Sequence, residues 1–191
     1  MSAQLPRLGN SPTRYPASCV SLSANLIDFL NLVLPSPPSV TLSVGSGPGL
    51  LEALLLREYR HRADTKSFFG VEVLAQTPVN RYLPEDNLIV VPGTWAVASE
   101  AQAAAACIFV YPRQPSLVAE YLNRGTRLRI VIWIGPKGDK NEYYERLSEW
   151  GTEDHRAVED IALGESEEMV LFRRELSTDA SSISPLDISL I

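Results

Sequence analysis

The chain has 191 residues, 45 % of them hydrophobic and 21 % charged. That composition suits one globular domain burying roughly 70 % of its unfolded surface, and it excludes a disordered chain. A formal net charge of −6 without a run of Lys and Arg speaks against a nucleic-acid backbone as the main partner. Cys19 and Cys107 form no CxxC pair, and His61 and His155 stand near no carboxylate cluster, so no metal is expected. Residues 1–16 have no apolar h-region, and no apolar run approaches the roughly 18 residues of a membrane span. The expectation is a soluble, cytoplasmic protein.

Residues 1–16 carry Pro6, Pro12 and Pro16 without apolar periodicity and read as an irregular lead-in. Leu22, Leu26, Phe29, Leu30 and Val33 then recur on one helical face, with Ser18 or Ser21 as the expected cap. The following Pro35, Pro37 and Pro38 stop that helix and return the chain to extended conformation. A β-branched run at 40–44 (VTLSV) forms a first strand. Three glycines at alternate positions follow, Gly45, Gly47 and Gly49, and then an apolar helix to about His61.

Residues 67–73 (SFFGVEV) form a second strand with Glu72 near its end. Pro78 interrupts residues 74–84, so any helix there is brief. Residues 87–91 (NLIVV) make a third strand, and the alanine-rich stretch 96–106 reads as helix by propensity. A fourth strand is expected at 107–111 (CIFVY), followed by a helix marked by Leu117, Val118, Tyr121 and Leu122 that ends at Gly125. A fifth strand at 129–134 (RIVIWI) precedes a helix with Tyr143, Leu147 and Trp150 on one face. Residues 153–161 and 168–175 are too close to enclose a crossover helix, so they should pair antiparallel. Residues 177–191 read as a loose tail, leaving 17–176 as a single domain.

Short apolar strands alternating with helices indicate a sheet buried on both faces. The fold class is therefore α/β: a doubly wound, mostly parallel seven-stranded sheet with an antiparallel C-terminal hairpin and helices on both faces. Ligands of such sheets sit beyond the carboxyl ends of the strands, where strand order reverses. Gly45–Gly49, Glu72, Pro92–Trp95 and Tyr111–Gln114 should line one rim.

The glycine spacing is G-x-G-x-G, and Leu50 stands where a dinucleotide fingerprint carries its third glycine. A carboxylate at Glu72 matches the adjacent hydroxyls of a ribose. With VGSGPG at Val44–Gly49, Glu72 ending strand two, polar turns after strands three and four and the final antiparallel pair, the sequence resembles the class I S-adenosylmethionine-dependent methyltransferases. The resemblance runs over about residues 17–176 and fixes no subfamily. It implies S-adenosyl-L-methionine as cofactor, while the acidic charge and short length favour a small-molecule methyl acceptor, with no nucleic acid and no membrane as partner.

The resemblance also implies roles for particular residues. Gly45, Ser46, Gly47 and Gly49 would pass the methionine part of the cofactor, Glu72 would hold the ribose, and Val73 would pack on the adenine. Thr94 and Trp95 lie where the family contacts that ring, and Tyr111 where it contacts the methyl donor. Ser43 departs from the family, which often has an acid two residues before the first glycine. Glu52 offers a carboxylate in the first helical turn, where the helix dipole alone would favour an acid. The turn after strand three also lacks an acid.

Methyl transfer is an in-line displacement that needs alignment and a dry site more than a catalytic dyad. Tyr111, Arg113 and His155 are the catalytic candidates, although a strand-ending aromatic also reads as core and an Arg after a strand as solvated. Two other readings remain. One is a degenerate methyltransferase-like binding or scaffold protein without catalysis; the other is a nicotinamide-dependent reductase, disfavoured by Leu50 and the final hairpin.

Overall fold

A computed structural model describes residues 4–59 and 67–175. His61 and residues 177–191 lie outside the described residues. Seven strands form one sheet: β1 (Val40–Val44), β2 (Phe68–Val73), β3 (Leu88–Val91), β4 (Ala104–Val110), β5 (Ile130–Pro136), β6 (Thr152–Glu153) and β7 (Glu167–Arg173). Their order is β3-β2-β1-β4-β5-β7-β6. The first five are parallel, and β7 runs antiparallel between β5 and β6. The expected fold class is what the chain adopts.

Among the described residues, five α-helices cover the two faces. Helices α1 (Ala24–Val33), α2 (Leu50–Tyr59) and α5 (His155–Val158) lie on one side. There Leu26, Leu30, Leu51 and Leu54 meet Ile108, Ile132 and Leu171 of the sheet. Helices α3 (Pro115–Arg124) and α4 (Lys140–Trp150) lie on the other, where Val118, Tyr121 and Leu147 meet Cys107, Phe109 and Trp133. Alternate residues of β4 thus feed opposite cores, as a strand period of two requires.

Capping chemistry sets the helix ends. Ser23, rather than Ser18 or Ser21, caps α1 by accepting a hydrogen bond from the Leu26 N–H at 3.1 Å. Pro115 opens α3 where its missing N–H costs nothing, and Gly125 ends it as expected.

Two expectations are corrected. Residues 96–106 are not a helix: a 3-10 turn at Ser99–Gln102 leads into β4, which begins at Ala104. Ala104 and Ala106 are fully buried in the sheet, where a small side chain fits between layers, and that burial outweighs a weak intrinsic helix preference. Residues 153–161 are not a strand beyond Glu153. Asp154 accepts from the Ala157 N–H and starts α5 instead. Between β2 and β3, where any helix was expected to be brief, there is only a 3-10 turn at Glu85–Asn87.

Candidate functional site

Strand order reverses between β1 and β4, so their following segments diverge to opposite faces and leave a crevice beyond the sheet. The β1 loop fills its floor. Gly45, Gly47 and Gly49 have φ of +82°, +53° and +81°, a region that L side chains seldom enter. The N–H groups of Gly45 and Ser46 both donate to the Val71 carbonyl, at 2.9 and 3.1 Å, which ties the loop to β2.

The three glycines differ in what faces them. A Cβ at Gly45 or Gly47 would meet nothing within 4 Å, so that backbone fronts open space. A Cβ at Gly49 would lie 2.7 Å from Asn80 Oδ1 and 2.8 Å from Leu83 Cβ. Gly49 therefore serves packing, while Gly45 and Gly47 leave room for a ligand.

Glu72 bridges this loop and β2. One carboxylate oxygen accepts from the Gly47 N–H at 2.5 Å and the other from its own neighbour Val73 at 2.8 Å. Each oxygen has a further lone pair to offer. Val73 is half-buried beside it; Thr94 and Trp95 follow β3 in the exposed turn, with Trp95 71 % exposed. The ring of Trp95 lies over Gly93, where a Cβ would come within 2.3 Å of it.

Behind the loop lies a buried pair. Ser43 Oγ donates to Glu52 Oε1 at 2.7 Å, and Glu52 is only 2 % exposed. Its second oxygen has no hydrogen-bond partner among the described residues. Burial pushes the Glu52 carboxyl up to about 7, against the lowering influence of Ser43 and its own backbone, with the nearby charge of Glu72 adding to the rise. So Glu52 is turned inward, unlike an ordinary first-turn acid.

Tyr111, at the end of β4, has φ +50°, an uncommon conformation for an aromatic residue, with its N–H on the Ile134 carbonyl at 2.7 Å. Its hydroxyl donates to Glu167 Oε1 at 2.9 Å. Burial, then the hydrogen bond and charge of Glu167, push the phenol up to about 12, so it stays a neutral donor. Glu167 is 3 % exposed and also accepts from the N–H groups of Ser21 and Gly164, with Arg14 at 3.4 Å. This acid pins the N-terminal segment to the sheet. Nothing in the local sequence signals that role, because Glu167 stands in an acidic stretch with Glu165 and Glu168.

The structure brings Ser43, Gly45, Ser46, Gly47, Gly49, Glu72, Val73, Thr94, Trp95, Tyr111 and Arg113 to the carboxyl ends of β1 to β4. Arg113 is exposed there. His155 does not join them. It follows β6, which β4, β5 and β7 separate from β1, and its Nδ1 lies 3.1 Å from Glu153.

No protein-family model and no curated protein sequence matches the chain. Solved structures do. A precorrin-6y C5,15-methyltransferase from Geobacter metallireducens superposes with a TM-score of 0.50 at 9 % identity, over 85 % of this chain and 94 % of that one. A SAM-dependent O-methyltransferase from Thermotoga maritima gives 0.46 at 13 % identity, over 81 % and 68 %. A candidate tRNA (m1A22) methyltransferase from Streptococcus pneumoniae, solved with S-adenosyl-L-methionine, gives 0.45 at 15 % identity, over 82 % and 77 %. The chain has the Rossmann-like fold of the class I S-adenosylmethionine-dependent methyltransferases.

Proposed function

We propose that the chain is a methyltransferase that uses S-adenosyl-L-methionine and acts on a small molecule. The observation that carries this reading is Glu72 set against open glycine backbone at the switch point: a carboxylate suited to a ribose diol beside room for the rest of a nucleoside. Gly45, Ser46 and Gly47 would hold the methionine part, and Val73 and Trp95 would flank the adenine. Glu52 answers the departure at Ser43, because its carboxyl lies one hydrogen bond behind the position where the fold's relatives often have an acid.

When bound, the cofactor supplies a methyl group on positively charged sulfur, which an in-line nucleophile displaces. Protein residues then need to align and exclude water. Tyr111, a neutral donor held by Glu167, would orient the acceptor rather than take its proton. Arg113 and His155 rank below it, the first for its exposure and the second for its distance in the sheet order.

Ser43 favours one other reading, a non-catalytic binding protein on the same fold. Calorimetric titration with S-adenosyl-L-methionine and S-adenosyl-L-homocysteine separates the two. The natural chain is expected to bind at micromolar levels, with Glu72→Ala weakening it more than about tenfold through loss of charge-assisted hydrogen bonds. No heat from either ligand would leave the scaffold reading, and heat from NADH instead would overturn both.

A further inference from the structure

A second concavity opens on the outer side of the glycine loop. It has a volume of about 780 Å³ and is lined by residues of segments 4–7, 15–17 and 77–82 together with Pro48 and Leu50. That volume is within the usual range of roughly 300–1,000 Å³ for small-molecule sites. Its charged lining residues are Arg7 and Arg81, and no Asp or Glu lines it. Both arginines are exposed, and among the described residues neither has an ion-pair or side-chain hydrogen-bond partner. Tyr15, Tyr82 and Leu50 supply apolar and aromatic wall.

Three features point to an anion. The chain carries a net charge of −6, so two arginines without a neighbouring acid make a positive spot on a negative surface, which concentrates anions. Guanidinium groups fit carboxylate and phosphoryl oxygens in pairs. Leu50 is also the first residue of α2, a ten-residue helix whose positive end favours negative charge.

The groove is built onto the loop rather than merely beside it. The N–H groups of Arg81 and Tyr82 both donate to the Pro48 carbonyl, at 2.9 and 3.1 Å. Pro48 lies between Gly47, which fronts the crevice, and Gly49, which packs on Asn80 and Leu83. One peptide segment thus forms the wall between the crevice and the groove.

We infer that this groove is a second binding site, separate from the crevice, and that it takes an organic acid: a carboxylate or phosphoryl head held by Arg7 and Arg81, with an aromatic or apolar body against Tyr15 and Tyr82. The binding of an acid there does not depend on the methyltransferase reading.

Amide NMR titration of the full chain tests it with four probes of similar shape: benzoate, phenyl phosphate, benzyl alcohol and benzylamine. The acids are expected to shift the amides of residues 4–17 and 77–82 and the alcohol and amine to leave them. Arg7→Gln and Arg81→Gln should each weaken acid binding about tenfold, and the double variant should abolish it. Both side chains are exposed, so these variants should unfold at the same urea concentration as the natural chain.

Equal response to all four probes, or acid binding that survives the double variant, would overturn the inference. So would a stronger, steeply salt-dependent response to a single-stranded oligoribonucleotide, which would assign the arginines to a phosphate backbone. Acid binding in a chain that fails to bind S-adenosyl-L-methionine would retain the anion site and discard the methyltransferase reading. Cofactor binding without acid binding would do the reverse.

Discussion

The sheet has two unequal halves about β1. Towards β4, β5 and β7 every strand lies between helical layers, and Phe109, Ile132, Trp133 and Leu171 are fully buried. Towards β2 and β3, the connections from β2 to β3 and from β3 to β4 are loops and 3-10 turns, and Leu74, Val90 and Trp95 are 69 %, 52 % and 71 % exposed. The first half is scaffold. The second gives up helical cover where the crevice and the groove open, which leaves apolar faces and backbone available to a ligand.

The largest expected effect sets these halves against each other. Phe109→Ala should cost about 3–5 kcal/mol, because the ring is fully buried and packs edge-on against Tyr121 at 5.8 Å, leaving a cavity when removed. Val90→Ala on the half-exposed edge strand should cost within about 0.5 kcal/mol. Urea unfolding of both variants checks this. Similar costs would mean that β3 is as much a part of the core as β4.

The same division explains what could be read from the residues in advance. Strands β1 to β5 and the helices after β4 and β5 were legible, since each is a buried apolar run or a helical face closed by Pro or Gly. The connections of the open half were not. Residues 74–84 owe their shape to Asn80, which accepts from the Leu83 N–H and donates to the Leu83 carbonyl, and to Leu83 filling the space beside Gly49 and Gly70. Ala104–Ala106 join a strand because of contacts that no local propensity contains. At the site, Gly45–Gly49 and Glu72 announce themselves by type and spacing. Glu167, Arg14 and the groove arginines depend on a lead-in whose path only tertiary packing decides.

Glu52 should give the next effect, and it lies at the seam between the halves. Its ordinary value is 4.5, and burial raises it to about 7 in the folded chain. The folded protein therefore keeps a proton that the unfolded chain has released, so stability falls as pH rises from about 4.5 to about 7 and then levels off. A rise of that size corresponds to about 3 kcal/mol. Glu52→Gln should abolish this slope and leave the variant more stable than the natural chain at pH 8, as urea unfolding at pH 5 and pH 8 will reveal. An unchanged slope would show that Glu52 is ionised in the fold, its charge already balanced within the loop.

The smallest effect probes how the scaffold half holds the rim. Tyr111 sits at φ +50° with its hydroxyl on Glu167, but Ser21, Gly164 and Arg14 approach that same carboxylate. Tyr111→Phe removes one donor of several and keeps the ring packed, so the expected cost is about 1 kcal/mol. Hydrogen exchange should then report unchanged protection at the Ser21 and Gly164 amides, because Glu167 still accepts from both. Loss of that protection would make Tyr111 the anchor of the N-terminal segment and Glu167 only its partner. The exchange pattern, more than the size of the destabilisation, decides whether the segment that bears Arg7 and Tyr15 is held by the acid of β7 or by the aromatic of β4.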